Sequence, residues 1–318
     1  MIVRFWGTRG SIPVALTARD LRQKLEAAIG AAIDRGLRTR AEIASFLDRE
    51  PGMSLSHTYG GHSPCIQIDG GENEFLVCDM GSGARPLGTH IMERCGKTPP
   101  LVNIVMSHVH WDHIMGFPFF APAYVPGTMI RIHGCHPILE QAFRLQQSPP
   151  CFPVDFSRLA ASIEFVALKP GVSSQIGGFT VTPRLQRHTG DSYGYRFERN
   201  GKSIVYSTDS EHRPEESGEM EGFADFFRNA DLLIFDAMYS LAEAASVKED
   251  WGHSSNIVGV ELAQMARAKH LCMFHHEPAF DDQRILSVLE DTIRFEELTR
   301  QGEALKITAA YDGMEIEV

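Results

Sequence analysis

The stretch Ser107-His108-Val109-His110-Trp111-Asp112-His113 follows directly on the apolar run Leu101-Val102-Asn103-Ile104-Val105-Met106. The run reads as a buried strand, and it ends in four side chains that are costly to bury unpaired. A divalent cation compensates such a group best, so the fold must deliver a strand end to a metal site. Alternate residues of an extended segment face one way, and His108 and His110 can therefore hold one ion. Asp112 and His113 come after the turn, and if the chain bends into a helix there, their adjacent side chains diverge and can serve a second ion nearby. That is the layout of a two-metal hydrolase.

With 318 residues and 43% hydrophobic content, the chain can build a substantial core as one large domain or two modest ones. Met1 to Gly7 reads as a first strand rather than a secretory leader, and no run of apolar residues is long enough for a membrane span. Cys65, Cys78, Cys95, Cys135, Cys151 and Cys272 show no C-x-x-C spacing, which favours reduced thiols and a cytoplasmic location. The formal net charge of -11, with no basic cluster beyond Arg35 to Arg40, argues against a protein that tracks a long nucleic-acid backbone. A small anion held by two divalent ions needs no basic stripe, because the ions bring roughly +4 to the site.

Strand-like runs cover Ile2–Trp6, Cys65–Asp69, Glu74–Asp79, Leu101–Met106, Met129–His133, Ile163–Leu168, Phe179–Gln186, Tyr193–Glu198, Ser203–Ser207, Leu232–Asp236 and Leu271–Phe274. Asn200-Gly201 predicts a type I′ hairpin between two of them. Helical patterns cover Arg85–Cys95, Ile138–Gln146, Gly222–Arg228, Ser254–Lys269 and Asp281–Leu298. The order predicts a layered α/β protein with mixed sheets. Residues 17–50 interrupt it as a helical insertion: Leu21, Leu25, Ile29 and Ile33 recur at helical spacing, Thr39 with Glu42 forms a capping box, and Glu50-Pro51-Gly52 ends the segment. A helical hairpin packed on the core, a lid and a dimer contact are all open readings of it.

A two-ion site needs more donors, and three stand at strand ends: His188 after Phe179–Gln186, Asp209 after Ser203–Ser207, and His275 after Leu271–Phe274. A carboxylate has two oxygens, so Asp209 can bridge two ions. His276 competes with His275, which is favoured because it terminates the apolar strand before Glu277-Pro278 turns the chain away.

On these residues the chain resembles the metallo-β-lactamase superfamily, in particular the phosphodiesterase branch that includes ribonuclease Z. Gly7-Thr8-Arg9-Gly10-Ser11-Ile12-Pro13 is similar to that branch's G-T-x-x-x-x-P, and Phe75-Leu76-Val77-Cys78-Asp79-Met80-Gly81 to its D-x-G strand end. The resemblance covers nearly all of the chain. It implies a four-layer αββα sandwich with two mixed β-sheets, formed as a single hydrolase domain over residues 1–318. It implies two divalent ions, Zn2+ or Mn2+, with His108, His110 and His188 on one, Asp112, His113 and His275 on the other, and Asp209 between them. Asp236 and His253, the latter in Trp251-Gly252-His253-Ser254-Ser255, match the acidic residue and G-H-S motif that set this branch apart from glyoxalases and lactonases. On residue grounds alone, capping of the helix from Ser254 is the competing reading of that pair. Relatives in the branch are commonly homodimers.

The expected reaction is metal-assisted hydrolysis of a phosphodiester. Asp112 and Asp209 would orient the water, while His253, paired with Asp236, would donate to a phosphoryl or leaving oxygen. Asp79 is expected to fix the ligand loop. Nucleases of the branch that grip transfer RNA with a basic arm insert it between the positions matching His188 and Asp209, where this chain has room only for the hairpin Asp191 to Ser207. This favours a small phosphodiester, with a 3′,5′-cyclic nucleotide as the leading candidate. An RNA 3′-end nuclease and a non-catalytic metal-binding scaffold are the alternatives. Tyr59-Gly60-Gly61-His62-Ser63 departs at His62 from the Y-G-G-N-T of cyclic-nucleotide-hydrolysing relatives.

Overall fold

Burial sorts the strands by their place in the sheets. Strand β1 (Ile2–Gly7) alternates in exposure residue by residue, as expected where one face is open. By contrast β4 (Leu101–Val105), β10 (Lys202–Ser207), β11 (Leu232–Asp236) and β12 (His270–Phe274) are buried almost throughout, because both faces are covered. This computed structural model describes residues 1–49, 55–71, 74–96, 98–212, 217–239 and 252–318.

Among the described residues, fourteen strands make two seven-stranded sheets. The first runs β14 (Glu315–Glu317), β1, β2 (Cys65–Asp69), β3 (Glu74–Cys78), β4, β5 (Met129–Gly134), β6 (Ser162–Ala167). The second runs β13 (Lys306–Ala309), β12, β11, β10, β9 (Ser192–Arg199), β8 (Phe179–Gln186), β7 (Ser174–Ile176). Each is mixed: β3 to β6 and β10 to β13 are parallel, and the remaining pairs are antiparallel. Asn200 and Gly201 both take positive φ between β9 and β10, as a type I′ turn requires.

Three apolar cores lie between four layers. Phe5, Ile66, Phe179, Tyr206 and Phe274 fill the space between the sheets. Helix α3 (Ala84–Cys95) and α5 (Leu139–Gln146) cover the first sheet through Leu87, Ile91 and Phe143. Helices α6 (Ser217–Phe227), α7 (Asn256–Ala266) and α8 (Asp282–Thr299) cover the second through Phe223, Leu262 and Val288. The expected αββα sandwich is therefore present.

The insertion forms two helices, α1 (Ala18–Asp34) and α2 (Arg40–Arg49). The expected Thr39–Glu42 capping box is there, and Thr17–Asp20 forms another on α1. The apolar row does not pack on the core, however, since α1 buries no residue fully. Its inward contact is polar: Lys24 Nζ sits 2.6 Å from Asp282 Oδ2 and donates to the His57 carbonyl, which turns the apolar row outward. The expected stop at Glu50-Pro51-Gly52 lies outside the described residues.

Candidate metal centre

Parallel strands put their carboxyl ends at one edge, and at a sheet edge of this kind open α/β folds gather their ligand-binding groups. Here β3, β4, β8, β10, β11 and β12 end in Asp79, His108, His188, Asp209, Asp236 and His275 or in the residues just before them. Asp79, Asp209 and His275 have φ of +59°, +46° and +60°, unusual for residues with a Cβ. Such strained conformations concentrate where structure is held in place for function.

His110 precedes α4 (Trp111–Ile114), so the chain does turn helical as expected. Asp112 and His113 nevertheless converge instead of diverging: His113 Nε2 is 3.2 Å from Asp112 Oδ2. His275 Nε2 joins them, 3.4 Å from Asp112 Oδ2 and 3.3 Å from Asp209 Oδ1. His276 does not; its Nε2 donates to the Ala310 carbonyl, and burial pushes its pKa down to about 3. On the other side His188 Nε2 lies 3.1 Å from His110 Nδ1, and Asp209 Oδ2 is 3.7 Å from both His108 Nε2 and His188 Nε2. Among the described residues four donor groups have their atoms within 4.8 Å of one another: His108/His110/His188, Asp112/His113/Asp209/His275, and two that include His253, with His188 and Asp209 and with Asp236 and His275. Asp209 turns one oxygen to each of the first two.

The outer hydrogen bonds decide which nitrogens stay bare. His113 Nδ1 donates to Asp79 Oδ2 at 2.8 Å, and His188 Nδ1 donates to the Gly252 carbonyl at 2.8 Å. His108 Nδ1 meets Ser107 Oγ, whose own proton goes to Asp79. The inward Nε2 atoms of His108 and His113 are then buried with no hydrogen-bond partner, a condition that a cation relieves. Burial drives the pKa of His108 well down, which leaves its lone pair available. Burial opposes charge on His113 as well, but Asp209, Asp112 and Asp79 outweigh it and raise its pKa; the same carboxylates would attract a metal ion. Asp209 and Asp112 are held well below the usual carboxylate range by the surrounding imidazoles, against the effect of burial. The set fits two divalent ions in donor type, number and orientation.

Asp236 and His253 are brought to the same edge. His253 Nδ1 donates to Asp236 Oδ2 at 2.8 Å, and that carboxylate also accepts the backbone N–H of Ser210 and of Met238. Burial lowers the pKa of His253, but Asp236 more than offsets this and lifts it to about 9. The imidazole stacks on His275 with centroids 5.0 Å apart and meets His188 edge-on at 5.1 Å. The capping reading fails, because Ser255 is the N-cap of α7. Trp251 lies outside the described residues.

Several contributors escape a reading of ligand patterns. Tyr206 OH donates to Asp79, and Ser11 N–H donates to Asp112 Oδ2 at 2.9 Å. Gly10 lies against His275, where an added Cβ would come within 2.6 Å of the ring. Gly252, at φ +81°, faces His188 so closely that a Cβ would come within 2.5 Å of Nδ1. The glycine of the Gly-His-Ser segment is thus required by that approach. The hint for Ser11 and Gly10 was the Gly7 to Pro13 segment; Tyr206 gave none.

A family model described as "Beta-lactamase superfamily domain" matches residues 78–276. A protein named Ribonuclease Z from Thermoplasma acidophilum is 37% identical over 279 residues, covering 71% of this chain and 83% of that protein. The metallo-beta-lactamase fold protein YhfI from Bacillus subtilis superposes with a TM-score of 0.65 at 18% identity, covering 99% of this chain and 98% of the other. Human tRNase Z, short form, gives 0.58 at 18%, covering 100% and 99%. The chain belongs to the metallo-β-lactamase superfamily, in the branch of ribonuclease Z and the phosphodiesterases, and is a metal-dependent hydrolase.

Proposed function

We propose that the protein is a dinuclear phosphodiesterase acting on a small phosphodiester, a 3′,5′-cyclic nucleotide in the first instance. The whole chain would work as one hydrolase domain carrying the insertion. His108, His110 and His188 would hold one divalent ion, Asp112, His113 and His275 the other, with Asp209 shared; Zn2+ suits the imidazole-rich donor set best, and Mn2+ is the alternative. When bound, such ions supply Lewis acidity and lower the pKa of a coordinated water. The protein's own groups do the rest. Asp112 and Asp209 accept hydrogen bonds from the attacking water and orient it, while charged His253 donates to a phosphoryl oxygen or to the departing alkoxide. Asp236 keeps that imidazole protonated on Nδ1 and aimed.

The observation that carries this reading is the Asp236–His253 pair, 2.8 Å apart and stacked on a ligand imidazole. A cation there serves charge building on phosphorus. The small substrate rests on the tight β9–β10 hairpin between His188 and Asp209, the net charge of -11, and exposed Trp111 beside the ligands, a flat face for a base. A second reading, hydrolysis at RNA 3′ ends, is favoured by the name of the Thermoplasma relative.

The test is a hydrolysis panel of bis(p-nitrophenyl) phosphate, cyclic nucleotides, a transfer RNA precursor and a thioester, run with wild type, Asp112→Ala and His253→Ala. Cleavage of the first two is expected, with His253→Ala losing roughly 100-fold or more in kcat while still binding metal. Cleavage of the RNA alone would move the assignment to the second reading. Cleavage of the thioester alone would overturn both.

A further inference from the structure

Asp209 stands just past the end of β10 at φ +46°, and its two oxygens face different groups. Oδ1 lies 3.2 Å from His113 Nε2 and 3.3 Å from His275 Nε2, whereas Oδ2 is 3.7 Å from both His108 Nε2 and His188 Nε2. The last torsion of an aspartate is soft, so the side chain alone does not fix which oxygen faces which group. Thr208 supplies the missing constraint. Its hydroxyl donates to Oδ1 at 2.6 Å, a charge-assisted bond in a fully buried place, and Oδ2 has no such donor among the described residues.

Thr208 is itself held. Gln186, the last residue of β8, donates from Nε2 to the Thr208 carbonyl at 2.6 Å, and Ser192 Oγ reaches the same carbonyl at 3.4 Å. Gln186 Oε1 in turn accepts the Ser207 hydroxyl at 2.7 Å. Gly194 on β9 leaves room for this amide, since an added Cβ would come within 2.2 Å of Gln186 Oε1. Gln186 stands two residues before His188, so one side chain ties the strand end that carries His188 to the one that carries Asp209. A buried amide and three buried hydroxyls cost desolvation that apolar side chains avoid, so stability alone gives no reason for them.

We infer that Thr208, held by Gln186, is a positioning residue for the second ion: it pins Asp209 Oδ1 towards Asp112, His113 and His275 and so sets the affinity of that group. The three-histidine group depends on it less, because three imidazoles stand there besides Oδ2. This rests on the two-ion reading proposed above.

Calorimetric titration of the metal-stripped full chain with Zn2+ tests it, with the imidazole nitrogens followed by NMR to show which group each step fills. Wild type is expected to bind in two steps. Thr208→Val removes the donor, and is expected to weaken the step reported by His113 and His275 by about tenfold or more, while the step reported by His108, His110 and His188 changes by less than about threefold. Thr208→Ser keeps the hydroxyl and is expected to restore the affinity. Gly194→Ala touches no ligand but pushes Gln186 from its place; it is expected to weaken the same step, and it carries the test should Thr208→Val not fold. An unchanged step in either variant, an equal loss in both steps, or a serine variant as weak as the valine one would overturn this proposal alone. Wild type that binds fewer than two ions would overturn the two-ion reading and this proposal with it.

Discussion

Asp79 accepts four hydrogen bonds: from Ser107 N–H, Ser107 Oγ, His113 Nδ1 and Tyr206 OH. It therefore fixes both the loop that starts the ligand motif and the tautomer of one ligand. Replacing it with Asn turns an acceptor into an amide that cannot satisfy all four, and the Asp79→Asn protein is expected to bind divalent ions 10- to 100-fold more weakly, roughly the range for outer-sphere changes. Competition with a chromogenic chelator measures this; unchanged affinity would remove Asp79 from the account. At this scale the clustering of the candidate ligands was legible, because imidazoles and carboxylates at the ends of apolar strands have few other uses. Their supports were not. The Gly252 carbonyl, the Ser11 N–H and the Tyr206 hydroxyl reach the site through long-range folding, and two of the three are backbone groups with no side-chain signal.

Elements with strong patterns emerged from sequence within a residue or two, such as β8, β11 and the Asn200-Gly201 hairpin. Strands β7, β13 and β14 were missed. Each is only three or four residues long and lies at the end of a sheet, where pairing to a neighbour rather than an apolar run defines the strand. Helix α6 begins at Ser217, earlier than Gly222, since its first turn carries little apolar content. Helix α1 shows the limit of periodicity most plainly: spacing revealed an apolar row but not the direction it faces. That direction was set by Lys24 meeting Asp282, far away in sequence, an ion pair that no local pattern encodes.

Across the whole molecule, the fold stores several histidines as neutral groups outside the metal centre. Burial pushes His212 down to about 3, and His133 and His270 down to about 4, from an ordinary 6.5. Unfolded, these residues take up protons below about pH 6.5; folded, they resist until near their lowered values. These three therefore make stability fall as pH drops from about 6.5 towards 4, by about 4 kcal/mol per pH unit between them if all contribute fully. Urea unfolding across this range checks it, with His212→Gln expected to flatten the slope by about 1 kcal/mol per pH unit. A slope that His212→Gln leaves unchanged would mean that His212 is already protonated in the fold. Among the described residues no helix is long and apolar enough to cross a membrane.

The account stands or falls on two ions acting together at the strand ends. Metal-stripped protein titrated with Zn2+ or Mn2+, with hydrolysis of bis(p-nitrophenyl) phosphate followed at each step, tests this most directly. The expected result is saturation at two equivalents per chain, with most activity appearing only as the second equivalent binds. Full activity at one equivalent, or hydrolysis indifferent to metal, would contradict it.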